Sequence, residues 1–515
     1  MSPRSAGALP LLVELDAQAG RPLHEQVYRR IHTLIREGLL GAGARLPATR
    51  VLATELDVSR NTVVTAFERL AAEGYIEGRA GGGTRVSQVL PDDMMAIPAS
   101  AMRRISYGPS RTPSRRALEL AQLRIRRWSE SAGPVEPFRL GAQALSHFPA
   151  RDWARLARRH WARPTTMAMD YGSIAGYRPL REGIAAYLQR ARGVNCDADQ
   201  IIITSGSQQA LDLSARVLAD PGDAAWMEDP GYDGARGALT AAGLDVVSVP
   251  IDEHGLNVAE GLNLAPQAKL AYVTPSHQFP LGITMTLARR RELLRWASGE
   301  GAWVFEDDYD SEFRYATRPL PALQGLDARG CVIYAGTFSK VLFPSLRVGY
   351  MVVPPALLDT MLHARILSDV HPPTLAQAVL ADFIAEGCFE RHIRRMRGLY
   401  RERQEALVSA GRQFLSGMLD LQPANGGMHV VGLLPPGVDD LHAAEVATGA
   451  GVMVTPLSFF TFSSQSSNRR ALLLGYAGLT PEQIASGAER LARALGSIKI
   501  SDPRAAETLP NRGPQ

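Results

Sequence analysis

The sequence predicts two domains of different class: a small helical module closed by a β-hairpin, then a large α/β domain with a mostly parallel sheet. In the first 90 residues, three segments with helical spacing of apolar residues precede a glycine-rich pair of short strands. From residue 136 onward, short apolar runs alternate with helical stretches, which is typical of a sheet covered by helices on both faces. The runs span residues 200–204, 224–227, 246–249, 270–274, 302–305, 332–335 and 349–353.

Length and composition exclude several classes of protein. The chain has 515 residues, enough for two or three domains, and its 45% hydrophobic and 21% charged residues are typical of globular proteins. No apolar run reaches the roughly 18 residues of a membrane helix, and no signal-peptide pattern opens the chain, so we expect a cytoplasmic protein without membrane contact. Cys196, Cys331 and Cys388 form no CxxC pair, so neither a disulfide framework nor a metal site is expected.

The segment 21–90 predicts a winged helix-turn-helix, an α+β module, after an N-terminal extension over residues 1–20. Three amphipathic helices are predicted, and Ser59 is a suitable N-cap for the third. Two short strands then surround the glycines at 81–83. Three helices followed by such a hairpin are the elements of a winged helix-turn-helix.

The third helix of such a module enters the major groove of DNA, and its first turn presents side chains to bases and phosphates. That turn offers the guanidinium of Arg60 and the hydroxyl of Thr62. Arg50 begins the second helix at a position suited to a phosphate, and Gly82 would let the wing tip approach the DNA backbone. A helical protein-interaction module has the same periodicity and stays open as an alternative on this evidence.

Two motifs narrow this choice. Residues 46–50 (LPATR) and 56–63 (LDVSRNTV) resemble the DNA-binding domain of the GntR family, and the resemblance extends over about 65 residues. It implies that the partner is a double-stranded DNA operator. It also implies that the DNA contacts include Arg50, Arg60, Thr62 and Gly82.

Residues 91–135 predict a basic linker between the two domains. They are rich in Pro, Ser, Ala and Arg with little periodicity, and the stretch 101–128 holds eight arginines against one acid. A nucleic-acid-binding arm and a solvated linker both fit this composition. Residues 501–515, with three prolines, predict a disordered tail.

In the α/β domain, one lysine stands out by its neighbours. The whole chain has only three lysines, at positions 269, 340 and 499, and a lysine can form a Schiff base whereas an arginine cannot. Lys340 directly follows a predicted strand, with Thr337 and Ser339 just before it and Arg347 after it. Hydroxyls and a guanidinium beside an amine suit an aldehyde cofactor that carries a phosphate.

Residues at the ends of two other predicted strands could bind the same kind of cofactor. Ser205, Gly206 and Ser207 form a small-residue turn that opens a helix, where backbone donors favour an anion. Asp307 lies in the acidic run 306–310 at the end of another strand and could keep a pyridine nitrogen protonated. A solvated surface or a Mg²⁺ site also fits an acidic run, and the spacing excludes neither.

The sequence around these residues resembles that of the fold-type I aminotransferases, which depend on pyridoxal 5′-phosphate (PLP). The resemblance extends over a domain spanning residues 136–500 and includes the segments 336–340 (GTFSK) and 228–232 (EDPGY). The resemblance implies that PLP forms a Schiff base with Lys340, the catalytic lysine of the family. It implies that Asp307 pairs with the pyridine nitrogen, Tyr309 with the ring hydroxyl, and that Tyr232 stacks on the ring. The implied phosphate contacts are Ser205, Gly206, Ser207, Thr337, Ser339, Arg347 and, across a dimer interface, Tyr171.

The sequence departs from the aminotransferase pattern at two places. The segment 275–282 lacks the usual asparagine near the ring hydroxyl, and His277 is either a replacement or a packed loop residue. The segment 471–477 (ALLLGYA) has a leucine where an arginine normally binds the substrate α-carboxylate. Loss of that clamp removes about 1.5 to 3 kcal/mol of charge-assisted binding. Ordinary α-amino acid transamination is therefore not expected, although Arg236 offers an alternative anchor.

A GntR-like winged helix followed by an aminotransferase-like domain resembles the MocR group (PdxR/GabR-like) of transcriptional regulators. The resemblance implies a head-to-tail homodimer that senses PLP or an amino compound and regulates transcription. The alternative is an active aminotransferase with an accessory DNA-binding domain. A regulator whose large domain is only a dimerisation scaffold is disfavoured because the cofactor-binding set is complete.

Overall fold

The computed structural model divides the chain into two compact units, Met1–Thr112 and Pro113–Gln515. The described residues are 15, 20–79, 83–90, 112–125, 135–162, 169–315, 321–463 and 469–498. The predicted tail at 501–515, nearly all of the predicted extension at 1–20 and the wing residue Gly82 lie outside this set.

The small unit contains three helices followed by a two-stranded antiparallel sheet. The elements are α1 (Leu23–Arg36), α2 (Thr49–Glu55), α3 (Arg60–Ala72), β1 (Ile76–Arg79) and β2 (Gly83–Val86). The hydroxyl of Ser59 accepts a hydrogen bond from the backbone N–H of Thr62, so Ser59 is the N-cap of α3 as predicted. Val27, Leu52 and Val63 are completely buried between the three helices. The predicted winged helix-turn-helix is confirmed.

The large unit is built on helices of seven to 27 residues. They are α4 (Arg115–Gln122), α5 (Ala150–Ala162), α6 (Arg178–Arg192), α7 (Ser207–Leu218), α8 (Asp233–Ala242), α9 (Val258–Leu264), α10 (Leu287–Glu300), α11 (Leu358–Asp369), α12 (Thr374–Ala385), α13 (Cys388–Phe414), α14 (Asp440–Gly449) and α15 (Pro481–Leu495). Helix α4 lies inside the predicted linker, where Arg116 donates a hydrogen bond to the carbonyl of Ala241 at the end of α8.

An eight-stranded mixed sheet forms the centre of the large unit, with strand order β3-β10-β9-β8-β7-β4-β5-β6. Its strands are β3 (Ile201–Thr204), β4 (Ala224–Asp229), β5 (Asp245–Asp252), β6 (Gly255–Leu256), β7 (Leu270–Val273), β8 (Trp303–Asp308), β9 (Val332–Thr337) and β10 (Gly349–Val352). Strands β5, β4, β7, β8 and β9 are parallel neighbours, and β10 runs antiparallel between β9 and β3. The mostly parallel α/β domain is confirmed.

The parallel arrangement brings the carboxyl ends of β3, β4, β7, β8 and β9 to one edge of the sheet, the usual position of ligand sites in such folds. Every residue of β3, β7 and β9 is buried, which explains why these strands read as continuous apolar runs. A second, antiparallel sheet, which the sequence did not predict, has the order β11-β12-β14-β13. Its strands are β11 (Asp420–Leu421), β12 (His429–Leu433), β13 (Thr455–Pro456) and β14 (Ala471–Gly475).

Close backbone approach at the edge of the large sheet requires glycine at two facing positions. A Cβ atom on Gly349 of β10 would lie 2.6 Å from the Cα atom of Gly206, which follows β3. Gly206 has φ +137°, a conformation that residues with side chains rarely adopt. The turn between β3 and α7 therefore lies against β10 at a distance that no side chain permits.

We expect Gly349→Ala to destabilise the large unit by about 1 to 3 kcal/mol, because backbone must shift to accommodate the new methyl group. The matched control is Gly299→Ala in α10, where nothing lies within 4 Å of the added Cβ and alanine favours the helix. Denaturant unfolding monitored by circular dichroism measures both variants. A Gly349→Ala midpoint equal to that of the wild type would contradict the close approach.

Candidate functional site

The chemically important side chains lie at the carboxyl edge of the large sheet. Thr337 ends β9, Asp307 is the penultimate residue of β8, and Ser205 follows β3 directly. Tyr232 follows β4 and immediately precedes α8. Strand order thus brings together residues that are up to 132 positions apart in the sequence, Ser205 and Thr337 among them.

Asp307 is a buried carboxyl with one oxygen that lacks a partner. Its Oδ2 accepts a hydrogen bond from the Tyr272 hydroxyl at 3.0 Å, whereas Oδ1 is buried and has no hydrogen-bond partner among the described residues. Burial raises the pKa of Asp307 to about 7, although hydrogen bonds from the Tyr272 and Ser207 hydroxyls act in the opposite direction. A buried carboxyl of this kind suits a protonated ring nitrogen, which would both bond Oδ1 and stabilise its negative charge.

The neighbouring acids of the same run have partners of their own. Asp308 accepts hydrogen bonds from Arg192 Nε at 2.8 Å and from the Tyr334 hydroxyl at 2.6 Å. Asp310 lies 3.0 Å from Nδ1 of His277. Among the described residues, no group of three or more His, Cys, Asp or Glu side chains could hold a metal ion. Asp307 is therefore the carboxyl of this run with an oxygen available for a ligand.

His277 lies beside Tyr309, the predicted partner of the ring hydroxyl. The Tyr309 hydroxyl is 3.0 Å from His277 Nδ1, the same atom that contacts Asp310. His277 is buried, and its other nitrogen, Nε2, has no hydrogen-bond partner in the described parts of the chain. His277, a possible replacement for the asparagine of the aminotransferase pattern, is thus in contact with Tyr309.

The first turn of α8 is shaped to hold the ring of Tyr232. A Cβ atom on Gly234 would lie 2.4 Å from Cζ of Tyr232, so only glycine leaves room for the tyrosine ring there. The carbonyl of Gly234 accepts a hydrogen bond from Gln208 Nε2 at 2.8 Å, which joins this turn to α7. Tyr232 is half-buried, as a residue that stacks on a bound ring would be.

The residues predicted to bind a phosphate form two turns at the same edge. Gly206 is the N-cap of α7, and the Arg347 guanidinium lies over it, with NH2 3.5 Å from the position of a Cβ at 206. In the second turn, Thr337 Oγ1 accepts a hydrogen bond from the Ser339 N–H at 3.1 Å. Ser339 Oγ is buried, and no described residue bonds it. A helix N-terminus, an exposed guanidinium and an unpaired hydroxyl are suitable ligands for an anion.

Lys340 is half-buried in the turn that follows β9. Its neighbours in sequence are held from two other parts of the unit. Gln143 donates a hydrogen bond to the Ser339 carbonyl at 2.8 Å, and His392 Nε2 lies 3.1 Å from the Val341 carbonyl. The backbone on both sides of the lysine is therefore fixed.

Tyr171 lies on the surface of the large unit, with 83% of its side chain exposed. Its ring centroid is 6.0 Å from that of His371, and the two rings meet edge to face. Such exposure is compatible with the predicted role across a dimer interface, because a residue that serves a partner subunit must extend from its own.

On the small unit, Arg50 and Arg60 are exposed at the starts of α2 and α3. The Thr62 hydroxyl lies 2.9 Å from the Ser59 hydroxyl, so it takes part in the N-terminal cap of α3. The two arginines are placed as DNA-contacting side chains of a helix-turn-helix would be. Gly82, the fourth predicted contact, lies outside the described residues.

The position expected to supply a carboxylate-binding arginine is apolar. Leu473, in the middle of β14, is completely buried and belongs to a cluster with Leu140 and Phe460. Arg470 is exposed and lies 3.8 Å from Asp440.

Arg236, the alternative anchor, lies in α8, with its Cζ 4.7 Å from the centroid of the Phe462 ring. Its Nη1 is buried and has no hydrogen-bond partner within the described ranges. The guanidinium is therefore partly covered by an aromatic ring and retains a donor that is not in use.

Sequence reasoning missed two residues of the site. Tyr272 bonds Asp307 from the neighbouring strand β7, and the parallel register pairs it with Phe305 of β8. A buried tyrosine in an otherwise aliphatic strand was the available signal, since its hydroxyl requires a partner. Phe279 lies next to Tyr232 and Tyr309 with ring centroids 5.9 and 6.0 Å away, and no sequence pattern indicated that contact.

Comparison with known proteins gives matches to both units. The family "Aminotransferase class I and II" matches residues 136–491, and "Bacterial regulatory proteins, gntR family" matches residues 23–86. The probable rhizopine catabolism regulatory protein MocR of Rhizobium meliloti is 41% identical over 496 residues, covering 95% of this chain and 97% of that protein.

Solved aminotransferase structures resemble the large unit. Kynurenine aminotransferase of Pyrococcus horikoshii is 30% identical, with a TM-score of 0.66 over 74% of this chain and 96% of its own. The α-aminoadipate aminotransferase LysN of Thermus thermophilus, complexed with N-(5′-phosphopyridoxyl)-L-leucine, is 31% identical, with a TM-score of 0.64 over 74% of this chain and 95% of its own. The fold and these neighbours identify PLP as the cofactor, and the unpaired Asp307 Oδ1 fits its ring nitrogen. Among the described residues, no helix is long and apolar enough to cross a membrane.

We expect Asp307→Asn to lower PLP affinity at least tenfold, because an amide cannot neutralise a protonated ring nitrogen. The control is Tyr272→Phe, which removes the hydrogen bond to Asp307 Oδ2 but keeps the carboxyl group. We expect this variant to lose less PLP affinity than Asp307→Asn. The cofactor remaining after dialysis, read from its visible absorbance, measures both. Equal retention by Asp307→Asn and the wild type would contradict the assignment of Asp307.

Proposed function

The chain belongs to the MocR-type regulators, GntR-family proteins in which a DNA-binding domain precedes an aminotransferase class I and II domain, and we propose that the ligand state of the site around Lys340 controls its DNA binding. It is a DNA-binding transcriptional regulator with PLP as its cofactor. The proposal concerns what the large unit contributes to regulation.

One observation carries the proposal: the cofactor-binding groups are retained, whereas the substrate side is apolar. Asp307 keeps an unpaired buried oxygen and Ser339 an unpaired buried hydroxyl, both suited to PLP. Leu473 is buried among apolar side chains where an aminotransferase needs a cation for the α-carboxylate. A site that binds the cofactor but lacks this anchor is better suited to sensing than to turnover, which makes the alternative of an active aminotransferase less well supported.

Each residue of the site has a role in holding the cofactor. Asp307 holds a proton at the ring nitrogen, and Tyr232 covers one face of the ring. Arg347 and the α7 N-terminus, with Ser205, Gly206 and Ser207, bind the phosphate together with Thr337 and Ser339. His277 orients the Tyr309 hydroxyl toward the ring hydroxyl. When bound, PLP supplies an aldehyde that combines reversibly with primary amines, and Lys340 provides the resident amine.

We propose that the regulator works as a head-to-tail homodimer, in which Tyr171 contacts the phosphate of the partner's cofactor. Several large apolar side chains of the large unit are strongly exposed in the single chain, as a dimer interface would require. They include Trp161 at 65%, Met169 at 75%, Tyr171 at 83% and Leu367 at 88%. In this arrangement each DNA-binding domain packs on the other subunit.

The effector is PLP itself or an amino compound that reaches the Lys340 site. Binding can change DNA affinity only if the effector prefers one arrangement of the dimer over another. Coupling between sites is typically worth 1 to 3 kcal/mol, or about 5- to 150-fold in affinity. The size of the effect on DNA binding is therefore measurable by ordinary titration.

Lys340→Ala tests the control of DNA binding by the cofactor site. On an operator obtained by in vitro selection with the wild type, we expect PLP to change wild-type affinity at least fivefold and that of Lys340→Ala less than twofold. Lys269→Ala, which removes an exposed lysine, is the matched control and should respond like the wild type. Fluorescence anisotropy measures the affinities. A full response in Lys340→Ala would overturn the proposal.

Arg60→Ala tests the predicted phosphate contact of α3. Loss of one phosphate contact should weaken operator binding and reduce the slope of log K against log salt concentration by about 0.9. Arg29→Ala is the control, because Arg29 on α1 is ion-paired with Glu25 at 2.8 Å and should leave the slope unchanged. Anisotropy titrations between 50 and about 200 mM salt suffice. An unaltered slope in Arg60→Ala would count against a phosphate contact.

A further inference from the structure

We propose that the Lys340 site selects primary amines without an α-carboxylate, through an apolar wall formed by Leu140, Phe279, Phe459, Phe460 and Leu473. This inference rests on the proposed function and specifies the ligand class of the same site. The five side chains belong to one cluster that also includes Val431.

Leu473, in the middle of β14, is the residue of the apolar wall that comes from the second sheet. It pairs with Val431 of β12 and with Thr455 of β13, and it is completely buried. Its neighbours Leu472 and Leu474 point to the opposite face, where they join the main core of the unit. Alternation along the strand therefore directs Leu473 toward Phe460.

Phe279 joins the apolar wall to the residues that surround the cofactor. Its ring centroid is 5.0 Å from that of Phe460, on one side. On the other side, the centroids of Tyr232 and Tyr309 are 5.9 and 6.0 Å away, and all three ring pairs meet edge to face. A substituent on the carbon next to a bound amine would meet this aromatic surface.

A network around Glu228 holds Phe279 in place. The Phe279 N–H donates to Thr274 Oγ1 at 3.0 Å, and the Thr274 hydroxyl donates in turn to Glu228 at 2.6 Å. Gln278 Nε2 donates to the Phe279 carbonyl at 2.5 Å and to Glu228 at 3.2 Å. Both backbone groups of Phe279 are thus bonded to side chains that contact one buried acid, Glu228, so the backbone that carries the ring is held in place.

The second aromatic of the wall is also fixed near Tyr232. The Gly231 N–H donates a hydrogen bond to the Phe460 carbonyl at 3.0 Å, and Asp229 accepts from the backbone N–H groups of Phe462 and Ser463 at 2.9 Å. The loop that contains Phe460 is thereby bonded to the loop that contains Tyr232. The apolar wall and the cofactor-covering tyrosine are one connected structure.

The chemistry of this surface opposes a carboxylate. An ionised group placed against these five side chains would lose water and gain no charged or hydrogen-bonding partner from them, which is unfavourable. An apolar or uncharged substituent would bury apolar area against the same side chains, which is favourable. The apolar wall therefore separates an amine from the amino acid that differs from it only by the carboxylate.

Matched pairs of ligands test this directly on the PLP-loaded, full-length protein. The pairs are 2-phenylethylamine with L-phenylalanine, and 3-methylbutylamine with L-leucine. The midpoint of the change in the visible absorbance of bound PLP measures each affinity. We expect each amine to have a midpoint at least tenfold lower than its amino acid. Equal midpoints, tighter binding of the amino acids, or no change with any of the four compounds would overturn the inference.

Leu473→Arg should invert this preference, because it adds a cation to the apolar wall. We expect the amino acid to gain at least tenfold relative to the amine, whereas Leu473→Met, which conserves volume, keeps the wild-type ratio. If Leu473→Arg does not fold, the ratio of the amine and amino acid midpoints in the wild type is sufficient to test the inference.

The titration needs no DNA, so its outcome is separate from that of the proposed function. A protein that binds PLP and prefers amino acids would overturn only this inference. Failure of the wild type to retain PLP would overturn the proposed function as well.

Discussion

The buried carboxyl of Asp307 is the constraint on which the chemistry of the large unit depends. A carboxyl removed from water favours its neutral form, and burial raises its pKa to about 7. One oxygen is bonded by Tyr272, and the other has no hydrogen-bond partner in the part of the chain that the structure describes. Burial therefore makes the ionised form of Asp307 unfavourable, and a cationic ring nitrogen would stabilise that form. The same buried charge thus affects both cofactor binding and the stability of the fold.

The arrangement of the sheet places other predicted cofactor-binding groups close to Asp307. Parallel strands deliver Asp307, Thr337 and Ser205 to one edge, so groups for a ring nitrogen and for a phosphate meet without long loops. Gly349 and Gly206 allow the turn that is predicted to bind the phosphate to lie against the sheet. Beyond this edge, Leu473 and its apolar neighbours lie where the sequence predicts the carboxylate-binding arginine of the aminotransferases. We infer that this difference changes the compounds that can approach the cofactor.

Much of this architecture could be predicted from the sequence. All seven apolar runs coincide with strands of the large sheet, because buried parallel strands need apolar residues on both faces. The second sheet was missed, since β11 and β13 have two residues each and carry no period that could be recognised. Helix α4 was missed because it is only eight residues long within a segment rich in Pro, Ser, Ala and Arg, and none of its residues is buried. The predicted cofactor residues other than Tyr171 lie at the same edge, but the contacts of Tyr272 and Phe279 depend on strand order and loop packing, which local patterns do not encode.

The central claim is that the occupancy of the large unit changes the affinity of the small unit for DNA. The most direct measurement is the equilibrium affinity of the wild-type protein for its selected operator, once stripped of PLP and once loaded with it, at one salt concentration. The account predicts dissociation constants that differ at least fivefold. Equal constants in the two states, with PLP retention verified by absorbance, would contradict it.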